Sequence, residues 1–148
     1  MKIVQASILS TKEEVIMHGC NAQGVMGSGV AKAIRDAWPV VFEEYKKEYN
    51  KNGLEVGKNY YVEVDDSLTI VNAITQEFYG KEPKRYAEYS SVKLCLQEAA
   101  CLYKRIAIPQ IACGLGGLEW PVIKSIIKTV ELQTGSEFIV YTPPKKVP

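Results

Sequence analysis

The chain has 148 residues, 47% hydrophobic and 24% charged, which is the composition of one ordinary globular domain rather than of a disordered chain. Its 18 Lys and Arg residues nearly balance its 17 Asp and Glu residues, and this excludes a global positive field that would attract nucleic acid or anionic membranes. The N-terminus MKIVQASILS is too short and polar for a secretory signal, and no apolar run is long enough to span a bilayer. We therefore expect a cytoplasmic monomer with no membrane or nucleic-acid partner. Four dispersed cysteines without a CxxC pair favour reduced, inert thiols over disulfides or a zinc site.

The first half of the chain predicts two strands, two helices and a hairpin. The first two strands cover residues 2–9 and 13–20, and the second is apolar enough to be buried on both faces. A helix begins after Ser28, the predicted N-cap, and ends at Pro39. A second amphipathic helix covers residues 40–50, and a hairpin follows with strands at residues 60–64 and 68–75. Helical spacing makes Trp38, Tyr45 and Tyr49 core residues rather than a stacking platform for nucleic acid bases.

The second half predicts alternating helices and strands. A surface loop covers residues 76–86, and the longest helix begins near residue 89 and ends near residue 103. A buried strand at residues 106–111, a helix from residue 120 to 135 and a last strand at residues 138–142 follow, and residues 143–148 form a flexible tail. This order predicts a single α/β domain over residues 1–148, in which helices cover both faces of a mixed, mostly parallel six-stranded sheet.

Two glycine-rich stretches, residues 21–29 and 112–118, each follow a predicted strand and precede a predicted helix. This arrangement directs free backbone N–H groups and the positive end of a helix toward an anion, and phosphate is the anion that fits best. If both stretches lie at the carboxyl edge of one sheet, they form two walls of a cleft suited to a diphosphate. Neither stretch satisfies the GxGxxG or P-loop fingerprint, so a different class of phosphate binder is indicated.

The segments HGCNAQGVMGSGVA (residues 18–31) and IPQIACGLGGLEW (residues 108–120) together resemble the two loop signatures of macro domains, which are three-layer α/β/α domains that bind ADP-ribose. Within that family the chain most resembles the small, single-domain ADP-ribose-1''-phosphate phosphatases. The residues that carry the resemblance are His18, Cys20, Asn21, Gly24, Gly27, Gly29, Pro109, Gln110, Ile111, Gly114, Trp120 and the VYT of the last strand, residues 140–142.

The resemblance implies a site for ADP-ribose or ADP-ribose 1''-phosphate, with no cofactor and no metal, and an ADP-ribosylated protein is a further possible ligand. Asn21 would bind the distal ribose and belong to the catalytic site. The other ligand-binding positions that it implies are Ser7, Ile8, Gly27, Ser28, Gly29, Val30, Ala112, Cys113, Gly114, Leu115, Gly116, Gly117, Leu118 and Tyr141. Ser7 stands where many macro domains have an aspartate for the adenine amine, and Tyr141 either contacts adenine or only packs.

The resemblance also makes His18 the catalytic candidate. An imidazole whose ordinary pKa is near ~6.5 can accept a proton from water or donate one to a leaving oxygen at neutral pH. The alternative is that His18, the one histidine of the chain, is a buried residue that hydrogen-bonds a loop carbonyl. Nucleophilic use of Cys20 or Cys113 is not expected.

Two departures from related macro domains bear on the reaction. Gln76 and Gly116 stand where the enzymes that remove ADP-ribose from acidic side chains have a lysine and an aspartate. A mechanism through a lysine adduct is therefore not expected, although Lys81 and Lys84 are close by and stay open. The leading hypothesis is a phosphatase acting on ADP-ribose 1''-phosphate. The alternatives are a binding module without turnover and a hydrolase of another ADP-ribose ester.

Overall fold

A six-stranded sheet forms the middle layer of the protein, which a computed structural model describes over residues 1–144. Its strands are β1 (Lys2–Gln5), β2 (Val15–Asn21), β3 (Asn59–Asp65), β4 (Leu68–Gln76), β5 (Arg105–Pro109) and β6 (Glu137–Thr142). They lie in the order β1-β6-β5-β2-β4-β3, and only the β3–β4 pair is antiparallel. The predicted mixed, mostly parallel sheet is confirmed.

Helices cover both faces of the sheet, and each face has its own apolar core. The helices are α1 (Gly29–Ala37), α2 (Pro39–Asn52), α3 (Tyr89–Leu102) and α4 (Trp120–Thr134). Buried residues of α1 and α2 pack with Ile16 and Ile70 on one face, whereas those of α3 and α4 pack with Met17 and Val71 on the other. The three-layer α/β/α architecture is therefore confirmed.

The local reasons for these boundaries lie in a few residues. Pro39 is the first residue of α2, where its missing N–H costs nothing, and it also prevents α1 from continuing. Gly135 ends α4 in the left-handed conformation, with φ of 78°. At the predicted hairpin turn, the N–H of Ser67 donates to Oδ1 of Asp65 at 2.8 Å, which closes the turn between β3 and β4.

Three expectations need correction or fall outside the structure. The strand expected at residues 2–9 ends at Gln5, and a short 3-10 helix, Ile8–Ser10, follows because the Ser7 side chain caps it. The longest helix is α4 with 15 residues, since α3 has 14 and ends one residue earlier than expected. The flexible tail was expected at residues 143–148, and residues 145–148 lie outside the described part of the chain.

The topology places five strand ends at one edge of the sheet. Because β1, β2, β4, β5 and β6 are parallel, the segments that follow them all emerge at the carboxyl edge. Within residues 1–144, every helix is too short or too polar to traverse a lipid bilayer.

Candidate functional site

A cleft of about 820 Å³ lies at this carboxyl edge. Three loops form most of its walls: loop 1 (residues 22–28, between β2 and α1), loop 2 (residues 77–88, between β4 and α3) and loop 3 (residues 110–119, between β5 and α4). Residues 6–9 after β1 and Tyr141 of β6 close one end. The volume is in the range of pockets that hold nucleotide-sized ligands.

The cleft brings together most of the residues that sequence analysis proposed. Its lining includes Ser7, Ile8, Asn21, Gly27, Ser28, Gly29, Val30, Ala112, Cys113, Gly114, Leu115, Gly116 and Tyr141. The three proposed residues that do not line it are His18, Gly117 and Leu118. Leu118 is buried in the core beside α3 and α4, where it anchors the end of loop 3.

Asn21 ends β2 and holds loop 1 in shape with its side-chain amide. Its Oδ1 accepts hydrogen bonds from the N–H of Gln23 at 2.9 Å and of Val25 at 3.4 Å, and its Nδ2 donates to the carbonyl of Val25 at 2.8 Å. Gly24, inside this turn, has φ of +74°, and a Cβ there would lie 2.8 Å from the Tyr49 ring. Glycine is therefore required at that position for both conformation and space.

The N-terminus of α1 opens into the cleft. Ser28 is its N-cap by position, as predicted, but its side chain makes no capping hydrogen bond. The first-turn N–H groups of a helix have no partner within the helix, and here the side-chain cap that commonly satisfies one of them is missing. Gly27, Ser28, Gly29 and Val30 all line the cleft, so this helix end can donate hydrogen bonds to an anion.

Loop 3 forms the opposite wall and has a strained backbone. Ala112 has φ of 63°, which is rare for a residue with a side chain. Its carbonyl accepts from the N–H of Leu118 at 3.0 Å, and the N–H of Gly117 donates to the carbonyl of Gly114 at 3.1 Å. A Cβ on Gly116 would lie 2.6 Å from the Ala112 carbonyl oxygen, so the loop closes this tightly only with glycine there.

Loop 2 supports loop 3, a contact that sequence analysis missed. The carbonyl of Gly116 accepts hydrogen bonds from the N–H groups of Tyr86 and Ala87, both at 2.9 Å. Gly117, with φ of +82°, lies so close to loop 2 that a Cβ would be 2.6 Å from the Lys84 carbonyl oxygen. The Gly116–Gly117 pair was the available signal, because adjacent glycines often mark close backbone approach.

His18 lies away from the cleft, in the core beneath α1 and α2. Its side chain has no exposed surface, its Nε2 is 2.6 Å from Oδ1 of Asn72, and its ring nitrogens are 3.6 and 3.8 Å from the Cys20 sulfur. Burial lowers the pKa of His18 to about 4, although the hydrogen bond to Asn72 by itself raises this pKa. The structure therefore does not place His18 where it could exchange a proton with a ligand, and its partner is a side chain rather than a loop carbonyl.

The described lining of the cleft carries no carboxylate and no imidazole, and Lys81 is its one charged side chain. Burial raises the pKa of the Cys113 thiol to about 11 and raises that of Cys20 further, so both thiols stay protonated at neutral pH. No cluster of three metal-binding side chains occurs within residues 1–144. The walls thus offer backbone N–H groups, neutral polar side chains and one lysine amine.

Sequence analysis also missed part of the cleft floor and mouth. Gly19 and the buried Thr75 lie on the floor, Gln76 lines the cleft from the end of β4, and Tyr79 and Lys81 line it from loop 2. Gln76 ends β4, which lies next to β2 in the sheet, and this was the signal that the start of loop 2 reaches the cleft. The irregular composition of loop 2 favoured a solvated surface, and Lys81 was left open for that reason.

Comparison with known proteins gives a consistent family assignment. The model of the Macro domain family matches residues 17–127. The DNA ADP-ribosyl glycohydrolase of Thermus aquaticus is 28% identical over an alignment that covers 97% of this chain and 41% of that protein. The ADP-ribose 1''-phosphate phosphatase of Candida albicans is 21% identical and is matched over 82% of this chain and 85% of its own length. This chain thus spans about two fifths of the glycohydrolase and most of the phosphatase.

A solved structure of Thermosipho africanus DarTG in complex with ADP-ribose has the same fold. It aligns with a TM-score of 0.80 at 23% identity, over 99% of this chain and 42% of that one. The family model matches well over half of the chain, and the sheet and the glycine-rich loops of the chain agree with that match. This protein therefore belongs to the macro domain family.

Proposed function

We propose that the protein binds ADP-ribose in the cleft and hydrolyses the terminal phosphate of ADP-ribose 1''-phosphate. The observation that supports this most directly is the pairing of loops 1 and 3, two glycine-rich walls that face one cleft at the carboxyl edge of the sheet. The phosphatase of Candida albicans, which this chain matches over most of its length, supports the reaction type.

The ligand would lie along the cleft according to the chemistry of its parts. The end formed by Ala6, Ile8, Leu9 and Tyr141 is mostly apolar and suits a planar base. The diphosphate lies between the N-terminus of α1 and the backbone of loop 3, whose N–H groups supply hydrogen bonds without bringing a fixed positive charge. The distal ribose then lies toward Asn21 and the floor of the cleft.

The reaction would depend on electrostatic stabilisation rather than on a side-chain base. Water attacks the phosphorus atom, the bond between phosphorus and the 1''-oxygen breaks, and ADP-ribose and inorganic phosphate are released. Loop N–H groups stabilise the charge that develops on the phosphoryl oxygens. With His18 enclosed in the core and no carboxylate on the described lining, one proton of the attacking water passes by way of a phosphate oxygen to the leaving 1''-oxygen. We expect a slow enzyme for this reason.

Gly114 offers a direct test, because it lines the cleft and a Cβ built on it meets no atom within 4 Å. Gly114→Leu should fill the phosphate region without disturbing the fold, and Gly114→Ala is its small matched control. Phosphate release from ADP-ribose 1''-phosphate should occur with the wild type, persist in the alanine variant and fall at least about tenfold in the leucine variant. Absence of release by the wild type would refute the phosphatase proposal.

A second candidate function, release of ADP-ribose from a macromolecule, is favoured by one observation. Lys81 lies at the mouth of the cleft, and its amine is the one nucleophilic nitrogen of a side chain on the described lining. A lysine amine can form an adduct with a ribose carbon and so release an attached group. Loop 2 carries three cations, Lys81, Lys84 and Arg85, and three anions, Glu77, Glu82 and Glu88, so it creates no field for a nucleic-acid backbone.

The two candidates separate in one set of variants. Lys84 is the matched control for Lys81, because it lies on the same loop, does not line the cleft and pairs with Glu82 at 3.5 Å. Release of ADP-ribose should be measured from a glutamate-ADP-ribosylated peptide and from an ADP-ribosylated single-stranded oligonucleotide. Loss of release in Lys81→Ala but not in Lys84→Ala would support the second candidate. Equal rates in both variants would remove Lys81 from the chemistry.

A further inference from the structure

Tyr45 connects α2 to loop 1 through its hydroxyl group. Its side chain is 1% exposed and packs in the core beneath α1 and α2. The hydroxyl donates to the backbone carbonyl of Asn21 at 2.6 Å and also lies 3.0 Å from Oδ1 of the same residue. Burial raises the pKa of this hydroxyl, so it keeps its proton and remains a donor. Among residues 1–144, it is the one side chain outside loop 1 that hydrogen-bonds Asn21.

These contacts determine which way the Asn21 amide faces. An amide oxygen accepts only, whereas the NH₂ group has two hydrogens to donate. Oδ1 accepts from the N–H groups of Gln23 and Val25. The single hydroxyl hydrogen of Tyr45 is directed to the Asn21 backbone carbonyl at 2.6 Å, and the hydroxyl oxygen lies 3.0 Å from Oδ1. Nδ2 donates one hydrogen to the Val25 carbonyl, and its second hydrogen has no acceptor among residues 1–144. Reversing the amide would place NH₂ against two backbone N–H donors and would leave the Val25 carbonyl without its donor.

We infer that Tyr45 is a positioning residue, which holds the backbone carbonyl of Asn21 and so keeps the side-chain amide where its free Nδ2–H faces a ligand oxygen at the distal end of the cleft. The inference rests on the proposed binding of ADP-ribose, whose distal ribose provides hydroxyl oxygens there. A donor fixed in this way favours a ligand that presents an acceptor oxygen. It also binds a ribose more tightly than a mobile amide would, because less conformational entropy is lost on binding. Tyr45 does not itself touch the ligand, since it does not line the cleft.

Tyr45→Phe removes the hydroxyl and keeps the ring. Tyr49→Phe is the matched control, because Tyr49 is one turn away on α2 and its ring packs on Gly24 of the same loop. Affinities for ADP and ADP-ribose should be measured by calorimetry, since ADP lacks the distal ribose. We expect Tyr45→Phe to weaken ADP-ribose binding about tenfold, which corresponds to the loss of about one ordered hydrogen bond. Binding of ADP should change less than about twofold. The control should change neither affinity.

Two results would overturn the inference: unchanged affinity of Tyr45→Phe for ADP-ribose, or equal weakening for ADP and ADP-ribose, which would indicate general loop damage. A wild type that binds neither ligand would refute the proposed function and this inference with it. If Tyr45→Phe does not fold, Tyr45→Met serves instead, because it also removes the hydroxyl and its flexible side chain can fill the core. It should lose ADP-ribose affinity selectively, and retained affinity would overturn the inference.

Discussion

His18 Nε2 and Asn72 Oδ1 lie 2.6 Å apart in the core beneath α1 and α2, where neither side chain is exposed. Because a carbonyl oxygen only accepts, the imidazole carries its proton on Nε2, and Nδ1 is left as an acceptor 3.8 Å from the Cys20 thiol. Because the Cys20 sulfur also lies 3.6 Å from Nε2, Cys20, His18 and Asn72 form a buried chain of polar contacts from β2 to β4. This chain gives the histidine a structural role.

The first prediction follows from that role. His18→Gln should lower the free energy of unfolding by about 1–3 kcal/mol, because a buried hydrogen-bonded group is replaced by one of different shape. Phosphate release per folded molecule should stay within about twofold of the wild type, since His18 does not reach the cleft. Urea denaturation and a phosphate assay measure the two effects separately. A loss of activity of about a hundredfold in fully folded protein would instead place His18 in the chemistry.

The second prediction concerns pH. The pKa of His18 is lowered from 6.5 to about 4 in the folded protein, so the unfolded chain binds a proton in this interval and the folded chain does not. The contribution of neutral His18 to stability is present above pH 6.5 and is lost as the pH falls toward 4. At about 1.4 kcal/mol per tenfold change in proton affinity, the loss is about 3 kcal/mol. Denaturation of wild type and His18→Gln between pH 7 and pH 4 should show a shallower slope in the variant.

The third prediction tests the contact between loops 2 and 3. Gly117→Ala should weaken ADP-ribose binding and lower stability, because the new methyl group would lie 2.6 Å from the Lys84 carbonyl oxygen. Gly135→Ala is the control, since Gly135 also has positive φ but has no atom within 4 Å of a built Cβ. The control should lose about 1 kcal/mol of stability and no affinity. Equal binding by both variants would mean that loop 2 does not hold loop 3 in its binding conformation.

The fourth prediction concerns the base end of the cleft. No carboxylate lines the described cleft, and Ser7 is a polar residue of the lining between Ala6 and Ile8 of the apolar end. We expect wild type to distinguish ADP-ribose from inosine diphosphate ribose by less than about threefold, and Ser7→Asp to raise the preference for ADP-ribose to about tenfold through a charged acceptor for the adenine amine. Ser10→Asp, on the same 3-10 helix but outside the cleft, is the control. Competition binding with both ligands measures the ratio.

The fifth prediction concerns the cysteines. Burial holds the pKa of Cys113 at about 11 and raises that of Cys20, whereas Cys101 is exposed on α3. At pH 7.5 iodoacetamide should therefore modify Cys101 first, and phosphate release should be unchanged when only that residue is labelled. Mass spectrometry of peptides identifies the labelled thiol. Loss of activity in step with Cys113 labelling would contradict the inert role of that thiol.

The fold was predictable because its elements carry strong local signals. The continuous apolar run of β2, the helical spacing of α4 and the proline and glycine at helix boundaries each specify one structure. The 3-10 helix at Ile8–Ser10 was not predicted, because its residues also suit a strand and only the Ser7 cap decides between the two. The relative helix lengths depended on single boundary residues, which tertiary packing determines.

The candidate site was predictable in part. Both glycine loops were located because glycine is needed where the backbone turns or approaches another atom closely. The position of His18 was not, since alternation along β2 gives its face of the sheet but not whether its ring reaches the cleft. Tyr45 was correctly expected in the core, but its bond to Asn21 depends on how α2 crosses loop 1, and spacing within α2 carries no information on that crossing.

The helices on the two faces of the sheet are connected to the cleft by different loops. Loop 1 leads into α1, which packs in one core, and loop 3 leads into α4, which packs in the other. A diphosphate held by both loops would therefore link the two helical layers directly, in addition to the contacts that loop 2 makes with loop 1 and with loop 3. Ligand binding should protect backbone amides from hydrogen exchange in α1 and α4 together, and the layers should unfold as one cooperative unit at higher temperature.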